Sequence, residues 1–307
     1  MTTLSPASTP YRITESDYYR LREMLFREFP EALEELTRRC AETGAGEVDK
    51  DSLWKQAGDK PLFSNMNVKA GRRSEKAWRE GLFPDWRDMG SPDVWNIVYQ
   101  KSRNARKTDN FLIEGAGALT FTAKRGKYTT LKDGTKFRRP RTALFRLYSM
   151  QSFARWLVQQ SDDSLSKGLL STLGETLGPA ASIETVVETC RALASEFGFG
   201  WGVTTVLHAL MDCGFWLVKP DVHLVKTVAQ LGCLKDASLA LADADRYLKK
   251  EACLFDVVDV ARELAGRITP LEESRGKAIR EVDVVLMRAN YHGLVERFKH
   301  TLERKAA

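Results

Sequence analysis

Hydrophobic side chains recur at steps of three and four residues near the start of the chain and throughout its second half. The first run extends from Ser16 to Glu42 and predicts a helix that Ser16 caps and Pro30 bends or interrupts. From Ser149 onward the same spacing, broken by glycine, proline and N-cap residues, predicts a succession of helices. These helices are expected over residues 150–160, 164–173, 182–197, 203–213, 221–231, 237–248, 254–266 and 276–303.

The part of the chain between these runs follows other patterns. Residues 43–100 carry three prolines and four tryptophans without a clear period, and a single short helix is expected near 73–80. In residues 101–146, polar and apolar residues alternate on both sides of Asp133-Gly134, a pair typical of tight turns. This pattern predicts two to four short strands. We therefore expect a mainly α fold class: an N-terminal α+β region with short β-hairpins at 1–146, and a helical domain at 147–307.

One apolar stretch, residues 197–218, has about the length of a membrane span. Three glycines lie near its start, and a buried pair of helices gives the same hydropathy. We assign it to a protein core and expect no membrane partner.

Composition narrows the possible classes of protein. The chain has 307 residues, of which 43% are hydrophobic, so it is long enough for about two folded domains and is neither disordered nor collagen-like. Its five cysteines lie far apart without a C-x-x-C pair, which argues against a disulfide framework and against zinc or iron–sulfur clusters. No apolar leader follows Met1, and we expect a cytoplasmic protein.

Positive charge is concentrated in one segment. Residues 101–146 contain 13 basic and three acidic side chains, a balance of +10, whereas the whole chain carries +6. Aromatic residues are interleaved with these charges. The segment is either a solvated strand surface or a contact for nucleic acid, and the concentration of charge makes the second interpretation as good as the first.

The passage with the clearest chemistry is a glycine-rich turn between two predicted helices. Gly198, Gly200 and Gly202 alternate with aromatic residues, and a second loop then leads to Asp221 at the start of a third helix. Glycines allow the backbone to approach a phosphate closely, and amides at a helix N-terminus point towards an anion. The turn is therefore a candidate grip for a DNA strand, although close helix packing also selects glycine.

In order and spacing this passage resembles the helix-hairpin-helix DNA glycosylase superfamily. In that family a hairpin with a G-x-G turn is followed, about twenty residues later, by an Asp-containing V-D-T-H element and a Leu-Gly helix end. The matching residues here are Gly198, Gly200 and Gly202 in the turn, Asp221-Val-His223 with Leu231-Gly232 after it, and Asp283 in a late helix, where the family's aspartate is structural. The resemblance covers roughly 190–235, and loosely 150–300.

A further element lies upstream, where Gln159 and Gln160 precede Ser161-Asp162. It is similar to the family's L-S-Q-Q-T element, whose glutamine probes the minor groove. Gln160 and Asp221 are 61 residues apart, which is short for the family's full set of helices. Either the domain is trimmed or the match is accidental.

The resemblance implies specific roles for these residues. Asp221 would stabilise the positive charge that develops on the sugar and align water, with His223 and Lys219 supporting its loop. Gly198, Gly200, Gly202, Thr204 and Gln160 would contact DNA. Members with lyase activity carry a lysine just after the hairpin, where this chain has Gly202-Val-Thr204, so base removal without strand cleavage is implied. The hairpin backbone would hold a structural K⁺ or Na⁺; no other cofactor is implied.

Each of these residues also has an ordinary structural interpretation. Asp221 can be a simple helix cap, and His223 a partly buried helix histidine. We interpret His208 and Asp212 as a local pair one helical turn apart rather than a second active site. Trp201 is expected to pack between helices, and the tryptophans of residues 43–100 either stack on an extruded base or fill a small core.

We therefore expect a monofunctional DNA glycosylase that flips a damaged or modified base from double-stranded DNA, and that is associated with the nucleoid when bound. The alternative from another class is a non-catalytic helix-hairpin-helix protein that grips DNA. A third possibility keeps the enzyme but makes its target the hypermodified bases of phage DNA, a defence role. No protein partner can be inferred from the sequence.

Overall fold

The computed structural model describes residues 13–42, 49–63, 85–91, 96–100, 110–114, 121–122, 128–130, 136–138, 140–162, 169–271 and 277–299. The described residues are mainly helical, which confirms the predicted mainly α class. The helices are α1 (Glu15–Glu28), α2 (Pro30–Glu42), α3 (Lys50–Ala57), α4 (Lys60–Phe63), α5 (Trp86–Gly90), α6 (Pro140–Gln159), α7 (Leu170–Thr176), α8 (Ile183–Phe197), α9 (Val203–Asp212), α10 (Val222–Gln230), α11 (Ala237–Ala242), α12 (Ala244–Leu248), α13 (Glu251–Arg267) and α14 (Lys277–Tyr291).

Short strands lie between α5 and α6. They are β1 (Asn96–Gln100), β2 (Asn110–Glu114), β3 (Phe121–Thr122), β4 (Tyr128–Thr130) and β5 (Lys136–Arg138). Strands β1, β2 and β3 form an antiparallel sheet in that order, and β4 pairs antiparallel with β5 so that Thr129 lies opposite Phe137. The Asp133-Gly134 pair and most of the basic segment lie outside the described residues, as does the helix expected near 73–80.

The N-terminal helical run is divided where proline predicts it, but its cap differs from the prediction. Thr14, not Ser16, caps α1: its hydroxyl accepts from the Asp17 amide at 3.1 Å, and the Asp17 carboxylate accepts from the Thr14 amide. Pro30 begins α2, a position where the missing N–H costs nothing because the first amides of a helix have no partner within it. The prediction that Ser16 caps this helix is therefore wrong, since the cap lies two residues earlier.

The chain divides into two compact units that are interleaved along the sequence. The α14 unit comprises residues 1–45, 177–187 and 214–307, and the α6 unit comprises 46–176 and 188–213. The boundary expected at residue 146 lies inside α6, which continues from Pro140 to Gln159. Residues 1–146 and 147–307 therefore do not correspond to the two units, because the N-terminal helices belong with the late ones.

The core of the α14 unit is built around α14 itself. Val282, Val284, Val285 and Leu286 are all fully buried. Helices α1, α2, α10 and α13 pack against this helix. Arg262 on α13 is also buried, and its guanidinium donates to the carbonyls of Trp216 (2.6 Å), Gly178 (2.8 Å) and Ala181 (2.8 Å). The Arg262 side chain thus donates hydrogen bonds to three loop carbonyls that take no part in helix or sheet hydrogen bonding.

The core of the α6 unit is aromatic. Phe153 lies at its centre, with ring centroids 5.7 Å from Trp156, 4.8 Å from Phe197 and 4.9 Å from Trp201. Trp54 on α3 completes the group, and all five side chains are buried. This explains why α3 to α5 form within a stretch expected to be irregular: each is too short to show a helical period, and packing on α6 and α9 stabilises it instead.

Two other helix limits differ from the predictions. The helix expected over 237–248 is two helices, because Asp243 ends α11 and caps α12 by accepting from the Arg246 amide. The helix expected over 276–303 is interrupted after Tyr291 by a turn at His292-Gly293, where Gly293 adopts a positive φ of 68°, and residues 294–299 are helical again. No helix within the described ranges is both long and apolar enough to span a bilayer.

Candidate functional site

The glycine turn (residues 198–202) joins α8 to α9 in the α6 unit. Helix α8 ends at Phe197 and α9 begins at Val203. Gly198 and Gly200 have φ angles of 82° and 79°, in the left-handed region where a Cβ is strained. The alternation of glycine in the sequence therefore has a local cause: the turn needs left-handed backbone conformations at Gly198 and Gly200.

Side chains of α6 hold this turn in place. Ser152 Oγ donates to the Phe197 carbonyl at 2.7 Å and accepts from the Phe199 amide at 3.2 Å. Trp201 Nε1 donates to the Ser149 carbonyl at 2.8 Å, and its ring is buried, as the packing interpretation predicts. Neither Ser149 nor Ser152 could be predicted from the sequence, because both contacts join residues about fifty positions apart.

The turn and the first residues of α9 leave backbone amides unpaired. The amides of Gly200, Gly202, Val203 and Thr204 donate to no acceptor within the described residues. Gly202 and Thr204 are exposed, and a Cβ at Gly202 would meet nothing within 4 Å. Open space and free N–H groups at the start of a helix are what a phosphate requires.

Asp221 lies in the α14 unit, as the N-cap of α10. Its Oδ1 accepts from the amides of His223 (2.9 Å) and Leu224 (2.8 Å). Its Oδ2 accepts no hydrogen bond within the described residues, and the side chain is partly exposed. One carboxylate oxygen is thus fixed by the helix while the other is available to a ligand, although Asp236 and Asp243 cap their helices in a similar way.

Side-chain hydrogen bonds join α10 to α14 close to Asp221 in the sequence. His223 Nδ1 lies 3.2 Å from Asn290 Oδ1, and Asn290 Nδ2 donates to Gln230 Oε1 at 3.2 Å. Because an amide oxygen only accepts, His223 carries its proton on Nδ1 in this hydrogen bond. Asn290 is a residue that the sequence did not single out. Lys219, two residues before Asp221, is half-buried.

Asp283 on α14 is buried, with Arg280 Nη1 at 3.6 Å and Arg39 Nη1 at 3.7 Å from its Oδ2. Its surroundings are those of an ion pair inside the unit. This agrees with the structural role that the resemblance implies for it.

The pair of His208 and Asp212 in the α6 unit has a third member. Lys60 Nζ lies 2.7 Å from Asp212 Oδ2, and His208 Nε2 lies 3.4 Å from the same oxygen. Burial of the ammonium group lowers the pKa of Lys60, but the carboxylates of Asp59 and Asp212 raise it by more, so the net shift is upward. A lysine held protonated is an ion-pair partner rather than a nucleophile, which supports the interpretation as local pairing.

Gln160 follows the end of α6, and its amide donates to the Trp156 carbonyl at 3.2 Å. It lies eight residues beyond Ser152, a distance of about 12 Å along a helix. Gln160 therefore belongs to the same unit as the glycine turn, whereas Asp221, His223 and Lys219 belong to the other unit.

Groups of three or more His, Cys, Asp or Glu side chains that could hold a metal ion are absent from the described part of the chain. No protein-family model, curated protein or solved structure matches the sequence.

Proposed function

We propose that this protein is a DNA glycosylase that removes a damaged or modified base by hydrolysis. The observation that carries the proposal is the Asp221 carboxylate, fixed through Oδ1 by two helix amides with Oδ2 left open, 19 residues after Gly202. This is the order and spacing of the helix-hairpin-helix glycosylases that the sequence resembles.

The chemistry follows from the bond that is cut. As the bond between the base and deoxyribose lengthens, positive charge grows on the sugar ring, and a carboxylate beneath it lowers the energy of that state. Asp221 Oδ2 also accepts a proton from the water that adds to the sugar carbon, while the base leaves with the bonding electrons and takes a proton from solvent, to which Asp221 then returns its own. An abasic site remains in an unbroken strand.

The glycine turn supplies a grip for the strand in the same proposal. The free amides at Gly200, Gly202, Val203 and Thr204 donate to phosphate oxygens irrespective of sequence. The carbonyls of Gly200 and Trp201 accept no hydrogen bond within the described residues, and they are the groups that would hold K⁺ or Na⁺. Val203 and Thr204 stand where lyases of the family carry lysine, which supports hydrolysis without strand cleavage.

The test compares Asp221→Asn with a matched cap variant, Asp236→Asn. Asparagine caps helices about as well as aspartate, so both variants keep their helix starts and lose one charge. Duplexes carrying unmodified, alkylated, oxidised, deaminated or glucosylated bases are incubated with each protein and treated with alkali, which breaks the strand at abasic sites. We expect breaks at one class of base, a loss on the order of 10²-fold or more with Asp221→Asn, and no change with Asp236→Asn.

The panel also separates the alternatives. Breaks confined to glucosylated DNA would assign the enzyme to phage defence. Full activity of a folded Asp221→Asn variant would refute the mechanism. The second candidate function, a non-catalytic DNA grip, is favoured by the similarity of Asp221 to the ordinary caps Asp236 and Asp243. It predicts no breaks on any duplex and equal, salt-dependent binding by both variants.

A further inference from the structure

Tyr291 is an exposed aromatic residue at the end of α14. It is 61% exposed, more than any other large hydrophobic side chain in the part of the chain that the structure describes. Its hydroxyl has no hydrogen-bond partner within that part. Single exposed hydrophobic residues are common, so exposure by itself indicates no function. The informative feature is the set of neighbours that fix the ring.

Three side chains hold the Tyr291 ring. The His223 and His292 rings meet it edge-on, with centroid separations of 5.7 and 5.1 Å and interplanar angles of 70° and 87°. The Arg288 guanidinium carbon lies 5.4 Å from the ring centroid. A ring that is exposed and also fixed loses little conformational entropy when a ligand binds to it.

The neighbours are themselves held by other residues. Arg288 forms an ion pair with Glu35 of α2. His223 is held by Asn290 through the 3.2 Å contact described above. The orientation of the Tyr291 ring therefore depends on α2, α10 and α14 together, all of which belong to the α14 unit.

The surroundings of the ring are suited to a nucleotide. His223 follows Asp221 by two residues, so the ring that contacts Tyr291 belongs to the same helix start as the candidate catalytic carboxylate. Lys226, one turn further along α10, is exposed and forms no ion pair within the described residues. An open aromatic face beside cationic groups stacks a nucleobase of any sequence and attracts the phosphate that follows it.

We propose that Tyr291 is a stacking platform for an unpaired nucleobase of the DNA strand at Asp221. The proposal rests on the proposed function, since it names the contact that would receive a base at the same site. The base lies against the ring, and Arg288 beside the ring, together with the exposed Lys226 on α10, faces the strand's phosphates. The tyrosine hydroxyl has no part in the contact.

The test measures stacking directly. The Asp221→Asn protein is titrated into an oligonucleotide that contains 2-aminopurine at an unpaired position, because the fluorescence of this base falls when it stacks. We expect quenching in that protein, its loss on adding Tyr291→Leu, and its retention on adding Tyr291→Phe. The affinity for the oligonucleotide falls by roughly 5- to 150-fold with leucine. Leu241→Ala, a change at another exposed apolar residue of the same unit, leaves quenching and affinity unchanged.

The outcomes distinguish this proposal from the glycosylase. Tyr291-dependent quenching without base release from any duplex would retain the platform and reject the enzyme. If base release depends on Asp221 but quenching is the same with tyrosine, phenylalanine or leucine at position 291, the stacking platform is rejected and the glycosylase is retained. Self-association of the protein that Tyr291→Leu abolishes, with no change in quenching, would show that the ring meets a second copy of the chain instead and would also overturn the proposal.

Discussion

Arg22 donates from Nη1 to Oε1 of Glu281 over 2.8 Å, which joins α1 to α14 across 259 positions of sequence. The Tyr18 hydroxyl donates to the same oxygen at 3.2 Å, and the Leu271 amide donates to Oε2 at 2.7 Å. Glu281 is only 2% exposed. One buried carboxylate therefore links the N-terminal helix, the loop after α13 and the late helix.

Replacement of Glu281 by alanine is expected to destabilise the protein by about 3–5 kcal/mol, because it leaves the Tyr18 hydroxyl without its acceptor and the Arg22 guanidinium with the Thr269 carbonyl at 3.3 Å in place of a carboxylate. Urea unfolding at neutral pH measures the loss. Glu28→Ala is the control, since Glu28 pairs with Arg297 at the surface and its removal is expected to change stability far less. Similar losses in the two variants would show that the buried carboxylate has no special part in stability.

The same site predicts how stability changes in alkali. Burial and the neighbouring Glu281 carboxylate hold the pKa of Tyr18 well above its usual value of about 10. The stabilisation due to the neutral phenol is complete below the unfolded pKa and is lost as pH rises above it, by up to about 1.4 kcal/mol per pH unit. Urea unfolding between about pH 9 and 11 is expected to show a shallower decline for Tyr18→Phe than for the unaltered protein. Parallel declines would contradict the assignment.

Arg262→Leu is expected to lower the free energy of unfolding by about 3–5 kcal/mol, because three partly buried carbonyls lose a charged donor at once. Arg267→Leu on the same helix is the matched control: Arg267 is more than one-third exposed and, within the described ranges, forms an ion pair only with Glu263 at 3.7 Å, so its replacement lowers the free energy of unfolding by less than about 1 kcal/mol. Unfolding midpoints and slopes in urea compare the two variants. A folded Arg262→Leu protein of undiminished stability would mean that water replaces the guanidinium at these carbonyls.

Two alanine substitutions in the glycine turn are expected to behave differently. At Gly198 the positive φ is strained for alanine, and the new Cβ would lie 2.5 Å from Ser152 Oγ, which also accepts from the next amide. A loss of at least about 1–2 kcal/mol is expected. At Gly202 the φ is −94° and the Cβ meets nothing, so Gly202→Ala is expected to fold with little loss. Thermal unfolding checks both, and equal destabilisation would refute the role of backbone geometry.

Cysteine reactivity provides an independent test of burial. Burial, and then the Asp212 carboxylate, raise the pKa of Cys213 to about 12, so almost no thiolate is present at pH 8. Cys233 and Cys253 are partly exposed. Timed alkylation with iodoacetamide, followed by mass spectrometry, is expected to label Cys233 and Cys253 in the folded protein and Cys213 only after urea is added. Early labelling of Cys213 would show that α9 opens locally.

The sequence predicted the helices well wherever two or more turns share one buried face. Leu21 and Leu25 on α1 are fully buried, as their spacing requires. Ends were predicted less well, because Thr14 and Ser16 are both good caps and only the reciprocal bonds between Thr14 and Asp17 decide between them. Helices α4 and α5, with four and five residues, are too short to show any period.

The candidate site was predicted only as far as its local geometry. The cap at Asp221 and the left-handed glycines follow from residues a few positions apart, so the sequence contains their signal. Ser152 at the glycine turn and Asn290 at His223 are brought there by tertiary packing across 47 and 67 positions. No pattern along one chain indicates such pairs. Whether Asp221 is more than a cap is a question of chemistry and stays a prediction.

The interleaving of the two units has a consequence for how the protein is made. The chain passes from one unit to the other four times, after residues 45, 176, 187 and 213. Helix α8 contributes its first residues to the α14 unit and the rest to the α6 unit. On the ribosome, α1 and α2 emerge well before their partners Glu281 and Arg288, which follow Arg22 and Glu35 by 259 and 253 positions. A fragment cut at residue 146 would therefore leave both units incomplete, and α1 and α2 would lack α14, against which they fold.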